Sequence, residues 1–362
     1  MAAGLDLRRL QAAVLTVVLG GAGGALFAWL DLPAPWMSGA LVATSIWAVA
    51  GKPLAVPDPL RGLTFVVLGA SMGGALTPDA LKQAAAWPIS MAFLALSVAA
   101  VVAGCTLYFR RMAGWDMATA LYASAPGALS AVIAMAETTT ADMRKVAFAQ
   151  GVRLFLLVAA LPNLLHAAGL EPGVTPVPPE DGPWLGIALL LLASGAAGLV
   201  FEWLKVPGGL LLGAMGGSAA LHLTGLSTAH IPALMLIPAF VVLGTTVGIR
   251  FEGTRFATLR ESVIASLGGF AVGMAISVAF AVAAAAVTGE DTGKMVTAFA
   301  PGALETMTAL GFALGYDPAF MSAHHLFRFT GLSIALPLSA HLLFSLTRGE
   351  RERTDEIKQP GE

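Results

Sequence analysis

Charge is scarce in this chain. Of 362 residues, 20 are lysine or arginine and 22 are aspartate or glutamate, so 12% are charged while 57% are hydrophobic. A soluble domain carries roughly 25% charged residues. Cysteine is nearly absent: the single Cys105, inside an apolar run, excludes an intramolecular disulfide and a cysteine-rich metal centre. The net charge of −2 gives no basic excess for nucleic acid. What remains is long apolar runs separated by short charged patches, with a mean hydropathy of +0.80. That is the pattern of an all-α polytopic membrane protein.

The apolar sequence is duplicated. FVVLG at Phe65–Gly69 returns at Phe240–Gly244, and APGAL at Ala125–Leu129 returns at Ala300–Leu304. Asp142 and Arg153 recur as Asp317 and Arg328, and all these pairs share an offset of 175. Near the start, Phe27, Trp29, Pro33 and Gly39 recur as Phe201, Trp203, Pro207 and Gly213 at an offset of 174. The period is far longer than a solenoid unit, so it marks a domain duplication. The expected organisation is a first membrane repeat at 9–169, a Pro-rich linker at 170–182, a second repeat at 183–346 and a charged cytoplasmic tail at 347–362. Arg8 and Arg9 precede an apolar stretch, but Leu10–Leu30 is too long for a signal-peptide core and reads as part of the fold.

Each half holds six apolar segments: 9–30, 35–50, 61–77, 86–109, 116–136 and 143–169, then 183–204, 208–224, 232–250, 262–288, 294–314 and 319–346. If all cross and the N-terminus is cytoplasmic, the lysines and arginines outside Arg153 and Arg328 split 11 inside to 7 outside. If the fifth segment of each half enters and leaves on one side, the split becomes 16 to 2, a strong positive-inside bias. Five spans and one re-entrant hairpin per half make the halves point in opposite directions, an inverted repeat as in secondary transporters. Pro126-Gly127 and Pro301-Gly302 suit a reversal, because proline lacks a donor and glycine permits a tight turn. The alternative is a discontinuous helix that crosses fully and unwinds at the same APG.

The candidate site follows from depth. Arg153 and Arg328 each lie eleven residues beyond an aspartate, Asp142 or Asp317. That places them ~16 Å into a ~30 Å hydrocarbon core, where the two APG tips should also lie. Backbone N–H groups after Pro126-Gly127 and Pro301-Gly302 suit an anion. Gln150 and His325 lie three residues before their arginines and share a helix face with them. After APGAL the halves differ, with Ser130 in the first and Glu305 in the second. Two arginines and one glutamate leave a net positive site, and Glu305 is a candidate carrier of a coupling proton. Other readings stand beside these. The arginines could instead be structural, pairing with backbone carbonyls at broken helices, and Glu305 could simply neutralise Arg328. Adjacent His324 and His325 do not face one ligand, so no metal site is expected. Gly69, Gly73, Gly244 and Gly248 have the spacing of close helix packing.

Ala300–Leu332, APGALETMTALGFALGYDPAFMSAHHLFRFTGL, resembles the signature of the AbrB-type membrane protein family, which carries two copies of a membrane domain and is often labelled an ammonia monooxygenase. The openings at Leu32–Ala40 and Val206–Ala214 and the two FVVLG motifs extend the likeness over residues 10–345. The first half departs from the motif at Ser130, Gln150 and Ala149, where the second has Glu305, His325 and His324. The resemblance implies a bacterial inner-membrane protein related to transporters with inverted repeats, and an indirect effect on gene expression. The oxygenase label finds no clustered metal ligands here.

The expected function is secondary transport of a small organic anion, a carboxylate or amino-acid-like solute, with proton or sodium coupling as a hypothesis. Its site residues would be Pro126, Gly127, Ser130, Gln150, Arg153, Pro301, Gly302, Glu305, His325 and Arg328. Both termini would be cytoplasmic. No cofactor is expected; the partners are the anion and the lipid bilayer, with a homodimer as a further option. The rivals are a membrane ligand-binding protein that regulates indirectly and an intramembrane enzyme using Glu305 and His325 as acid and base.

Overall fold

A computed structural model describes residues 7–76, 84–126, 132, 139–170, 183–252 and 256–336. The linker expected at 170–182 (except Leu170), the tail at 347–362 and the site residues Gly127 and Ser130 lie outside the described residues. All regular structure among the described residues is helical. This is what lipid demands, because each helix satisfies its own backbone polar groups.

In chain order the helices are α1 (Leu7–Trp29), α2 (Pro35–Val49), α3 (Asp58–Gly74), α4 (Trp87–Arg111), α5 (Met117–Ser124) and α6 (Met143–Ala167). Then come α7 (Trp184–Trp203), α8 (Gly209–Leu223), α9 (Ala233–Gly248), α10 (Phe256–Thr288), α11 (Thr292–Phe299), α12 (Leu304–Ala313) and α13 (318–336). Among the described residues, six stretches are long and apolar enough to cross a membrane: Gln11–Trp29, Trp87–Arg111, Met143–Ala167, Trp184–Trp203, Ala233–Phe251 and Ser262–Thr288. α7 exposes Leu185, Leu189, Leu192 and Leu199, an apolar face suited to lipid tails.

α2, α3, α8 and α9 are short, at 15, 17, 15 and 16 residues, and form the centre. Their glycines set the packing. Gly69 faces Leu211 and Ala214, while Gly73, one turn on, faces Met215 and Ser218. The two numberings rise together, so α3 and α8 run parallel with their backbones in contact. Gly244 faces Met37 and Ala40, and Gly248 faces Leu41 and Thr44, so α9 and α2 are also parallel. Ser218 Oγ donates to Ala70 O at 2.6 Å across the first seam. Leu68, Met72, Met37, Leu41 and Leu211 fill the core around these contacts.

The parallel pair α3 and α8 decides how the fifth segment runs. If α4, the fifth segment, α6 and α7 all crossed, α3 and α8 would be antiparallel. One of the four therefore does not cross. Asp142 N donates to Thr119 Oγ1 at 2.7 Å, joining the start of α6 to the start of α5. The fifth segment thus ends where it began. In the second half, Gly293 at the start of α11 packs on Leu170 O and on the hydroxyl of Tyr316, just past α12. Tyr316 in turn donates to Leu170 O at 2.6 Å. In each half the two ends of the fifth segment lie together, as a re-entrant hairpin requires and a fully crossing broken helix does not. The single apolar segment expected at 294–314 is two helices, α11 and α12, separated at Ala300–Ala303.

Four aspartates fix these corners. Asp116 caps α5 by accepting from Thr119 N at 2.9 Å, and Asp142 caps α6 by accepting from Arg144 N and Lys145 N. Asp291 accepts from Lys294 N at 2.7 Å, and Asp317 from Ala319 N at 2.8 Å. Each satisfies N–H groups that a helix start leaves bare. The re-entrant path has a direct readout. In a Cys105→Ala background, Met112→Cys and Thr140→Cys should both react with an impermeant thiol reagent applied to one face of the membrane. Ala168→Cys should react from the other. Labelling of Met112→Cys and Thr140→Cys from opposite faces would contradict the hairpin.

Candidate substrate site

A broken helix leaves carbonyls without partners, and in lipid they must find donors. At the end of α5 the donor is Arg153 of α6, whose Nη1 donates to Ala123 O at 3.3 Å and Nη2 to Ala125 O at 3.0 Å. At the end of α11 it is Arg328 of α13, whose Nη1 donates to Ala300 O and Nη2 to Gly302 O at 2.7 Å. A guanidinium suits this place because it holds two acceptors at once and adds a cation at a helix C-terminus. Gln150, one turn before Arg153, donates from Nε2 to Tyr122 O at 3.1 Å. The carbonyl-pairing role named for the arginines from sequence is therefore real, and it anchors both hairpins.

The two tips meet. Arg153, Ala123, Ser124 and Pro301 line one small cavity, so the tip of the second hairpin touches the arginine that anchors the first. Cys105 and Ser266 share this cavity. Its volume is about 10 Å³, room for about one water. In this conformation the space between the two tips is closed.

The other residues fall in distinct places. His325 is fully buried, and neither ring nitrogen has a hydrogen-bond partner among the described residues. His324 is also fully buried, with Nε2 against Ser90 Oγ at 2.7 Å and Nδ1 against Phe320 O at 2.8 Å, which ties α13 to α4. Glu305 sits in the first turn of α12, half-buried, and no ion pair joins it to Arg328 among the described residues. Its carboxylate lies beside Gly208, at the start of α8, and interacts electrostatically with Arg250. Gly208 has φ +66°, a conformation glycine adopts without strain, and its missing side chain leaves room for Leu304 and Glu305. α12 has no side-chain cap, so its first N–H groups point into the tip region uncovered by a polar side chain.

Sequence reasoning passed over three features. Asp116 and Asp291 were legible as aspartates ahead of apolar runs, the usual sign of a helix start. Thr106, a lone threonine in α4, gave no signal. Lys294, counted from sequence only as a charge on the outer side, is buried, paired to Glu290 at 2.7 Å and set over the Phe320 ring at 4.2 Å.

Apolar spanning helices, with arginines anchoring the ends of two helix breaks, define a multi-pass, all-helical membrane protein. The chain belongs to the family described as "Transition state regulatory protein AbrB", which matches residues 36–344. Among its relatives is the protein of Escherichia coli (strain K12) named "Putative regulator AbrB". That protein is 26% identical over 327 residues, covering 88% of this chain and 92% of the relative. "Uncharacterized protein YhjN" of Bacillus subtilis (strain 168) is 26% identical over 368 residues, covering 94% of this chain and 95% of the relative.

Proposed function

We propose that this protein is a secondary transporter of an organic anion, built as an inverted repeat. The observation that carries the reading is the meeting of the two hairpin tips, each anchored by an arginine, at one small cavity. Helix directions support the inversion. α1 and α2 are antiparallel, with Gly23 on Gly39 and Gly20 on Ala40. The following loop returns Ala55 to Thr16 of α1 at 3.0 Å, so α3 runs back against α2. Since α8 is parallel to α3, α8 opposes α2, although Gly213 of α8 matches Gly39 of α2 in the sequence repeat. The 16-to-2 division of lysine and arginine favours the inner membrane with both termini in the cytoplasm.

The substrate charge follows from Arg153 and Arg328, which share this region with no paired carboxylate among the described residues. In this reading Glu305, half-buried beside the start of α8, is the carrier of the coupling proton. In proteoliposomes, purified protein should carry a radiolabelled carboxylate down an imposed gradient. Glu305→Gln should flatten the dependence of flux on a proton gradient while leaving exchange of substrate intact. Uncoupled flux in the wild type would remove the role given to Glu305. Binding with no flux would instead favour a ligand-binding regulator, the reading suggested by the name of the E. coli relative.

A further inference from the structure

A cavity of about 620 Å³ lies between α4, α5 and α13, within the usual range of small-molecule sites of roughly 300–1,000 Å³. Trp87 meets Phe320 with ring centres 5.7 Å apart, and one turn on Ser90 meets His324 at 2.7 Å. The two numberings rise together, so α4 and α13 run parallel with Leu94 about level with Arg328. The cavity is therefore a long groove. It starts at Ala95, at the depth of Arg328, and runs to Arg110 in the last turn of α4. That stretch of helix covers about 22 Å. Half of a bilayer ~40–45 Å thick, headgroups included, is ~20–22 Å. The groove is as long as one lipid molecule is tall.

Its chemistry is graded along the same line. Ala95, Ala99 and Ala103 of α4, with Leu332 and Ala335 of α13, make the inner part hydrocarbon. Leu107 and Phe327, 50% and 41% exposed, border the open side. Arg328, at the inner end, is 3% exposed and holds the carbonyls of Ala300 and Gly302. Arg110, at the other end, is exposed. One turn inside Arg110, Thr106 is 7% exposed, and its Oγ1 has no hydrogen-bond partner among the described residues. A buried hydroxyl without a partner is costly. From the membrane face inward a ligand would meet a cation, a hydroxyl donor ~6 Å deeper, and then hydrocarbon.

The cation is not alone. Arg111 follows it, and α6 brings Arg144 and Lys145 to the same end of α4. Lys145 lies over the Trp115 ring at 5.8 Å, and Trp115 stacks on Phe109 with centres 4.5 Å apart. The carboxylates here are Asp116 and Asp142, which cap helices, and Asp142 also pairs with Lys145 at 3.9 Å. Four cations against two carboxylates leave a rim that attracts anionic headgroups.

We propose that this groove binds one anionic glycerophospholipid, with its phosphate at Arg110, an ester carbonyl at the Thr106 hydroxyl and an acyl chain along α4 toward the depth of Arg328. A phosphate accepts guanidinium donors in pairs, and the ester carbonyl below it supplies the acceptor that Thr106 lacks. The bound lipid joins α4 and α5 of the first half to α13 of the second. The inference is independent of what the protein transports, so binding rather than flux tests it.

Protein stripped of lipid in detergent is titrated with dioleoyl phosphatidylglycerol, dioleoyl phosphatidylcholine and glycerol 3-phosphate. Bound lipid is counted by native mass spectrometry, and the melting temperature is followed in parallel. One phosphatidylglycerol per chain should be retained, roughly fivefold more tightly than phosphatidylcholine, the effect of one basic residue near an anionic surface. Glycerol 3-phosphate should not stabilise. Arg110→Gln should erase the preference, whereas Lys52→Gln, at an exposed lysine that does not line the groove, should keep it. Thr106→Val should weaken both lipids alike, about fivefold, because the ester carbonyl is common to both. Ala103→Trp, which fills the groove, should abolish retention. Arg110→Gln alters an exposed side chain, so the test does not depend on a variant that unfolds. A preference that survives Arg110→Gln or is lost equally in Lys52→Gln would overturn the inference. So would stabilisation by glycerol 3-phosphate equal to that by the lipid, or retention in Ala103→Trp. A wild-type dimer that Ala103→Trp converts to monomer, with lipid retention unchanged, would give the groove to a second copy of the chain and overturn it too.

Discussion

Replacing Arg328 by alanine is expected to be the most damaging single change in the chain. It strips the donors from Ala300 O and Gly302 O, and each buried carbonyl left bare costs about 1–3 kcal/mol. The expected loss is roughly 2–6 kcal/mol of stability, together with loss of carboxylate binding. Arg328→Lys should rescue little, because an ammonium is a point charge that cannot hold two carbonyls in fixed directions. Arg153→Ala should cost less. Its bonds are longer, at 3.3 and 3.0 Å, and its side chain is only partly buried. Thermal unfolding in a single detergent, compared across the three variants, checks the order. Equal losses for Arg153→Ala and Arg328→Ala would mean that hairpin anchoring is insensitive to burial. No loss in either would remove the anchor altogether.

Gly69→Val and Gly244→Val should have the next largest effects. A β-carbon at Gly69 would press on the carbonyl oxygen of Leu211, and one at Gly244 on that of Met37. The obstacle is main chain, which cannot swing aside as a side chain would. Overpacking of this kind costs roughly 1–3 kcal/mol at each site. Both seams join α2 or α3 to a helix of the other half, so the damage should appear as separation of the halves, read by limited proteolysis in the linker. Gly21→Ala and Gly216→Ala are the controls, since nothing lies within 4 Å of the added atom at either position. Damage from these controls matching that from the valine variants would show that helix propensity, rather than close approach, governs the glycines.

Much of the membrane architecture could be read in the residues. Apolar runs gave the spans because lipid leaves a helix no other way to satisfy its backbone. Pro126 and Pro301 marked the breaks because proline removes a donor at a fixed place. The spacing from Asp142 to Arg153 and from Asp317 to Arg328 set each arginine eleven residues into a helix that its aspartate caps, since a helix converts residue number into distance. What sequence left open was the choice among partners at that depth. Arg328 had two acceptors on offer, the Glu305 carboxylate and the bare carbonyls of α11, and local spacing does not rank them. The fold does, because α8 begins beside the second tip and its Gly208 turn takes in the Glu305 side chain. His324 likewise finds Ser90, 234 residues away. Thr106 was invisible, because a buried hydroxyl becomes notable only when its neighbours are known to offer it nothing.

The short central helices have a consequence for voltage. Helices of 15 to 17 residues are about 22–26 Å long, less than a ~30 Å hydrocarbon core. Water can therefore approach the centre from both faces while the longer α1, α4, α7 and α10 hold back the lipid. The transmembrane potential falls mainly across whatever stays dry, which here is the narrow layer where the two hairpin tips meet. A charge passing through that layer would experience most of the potential, about 2.3 kcal/mol per elementary charge for each 100 mV, over a path far shorter than the membrane is thick.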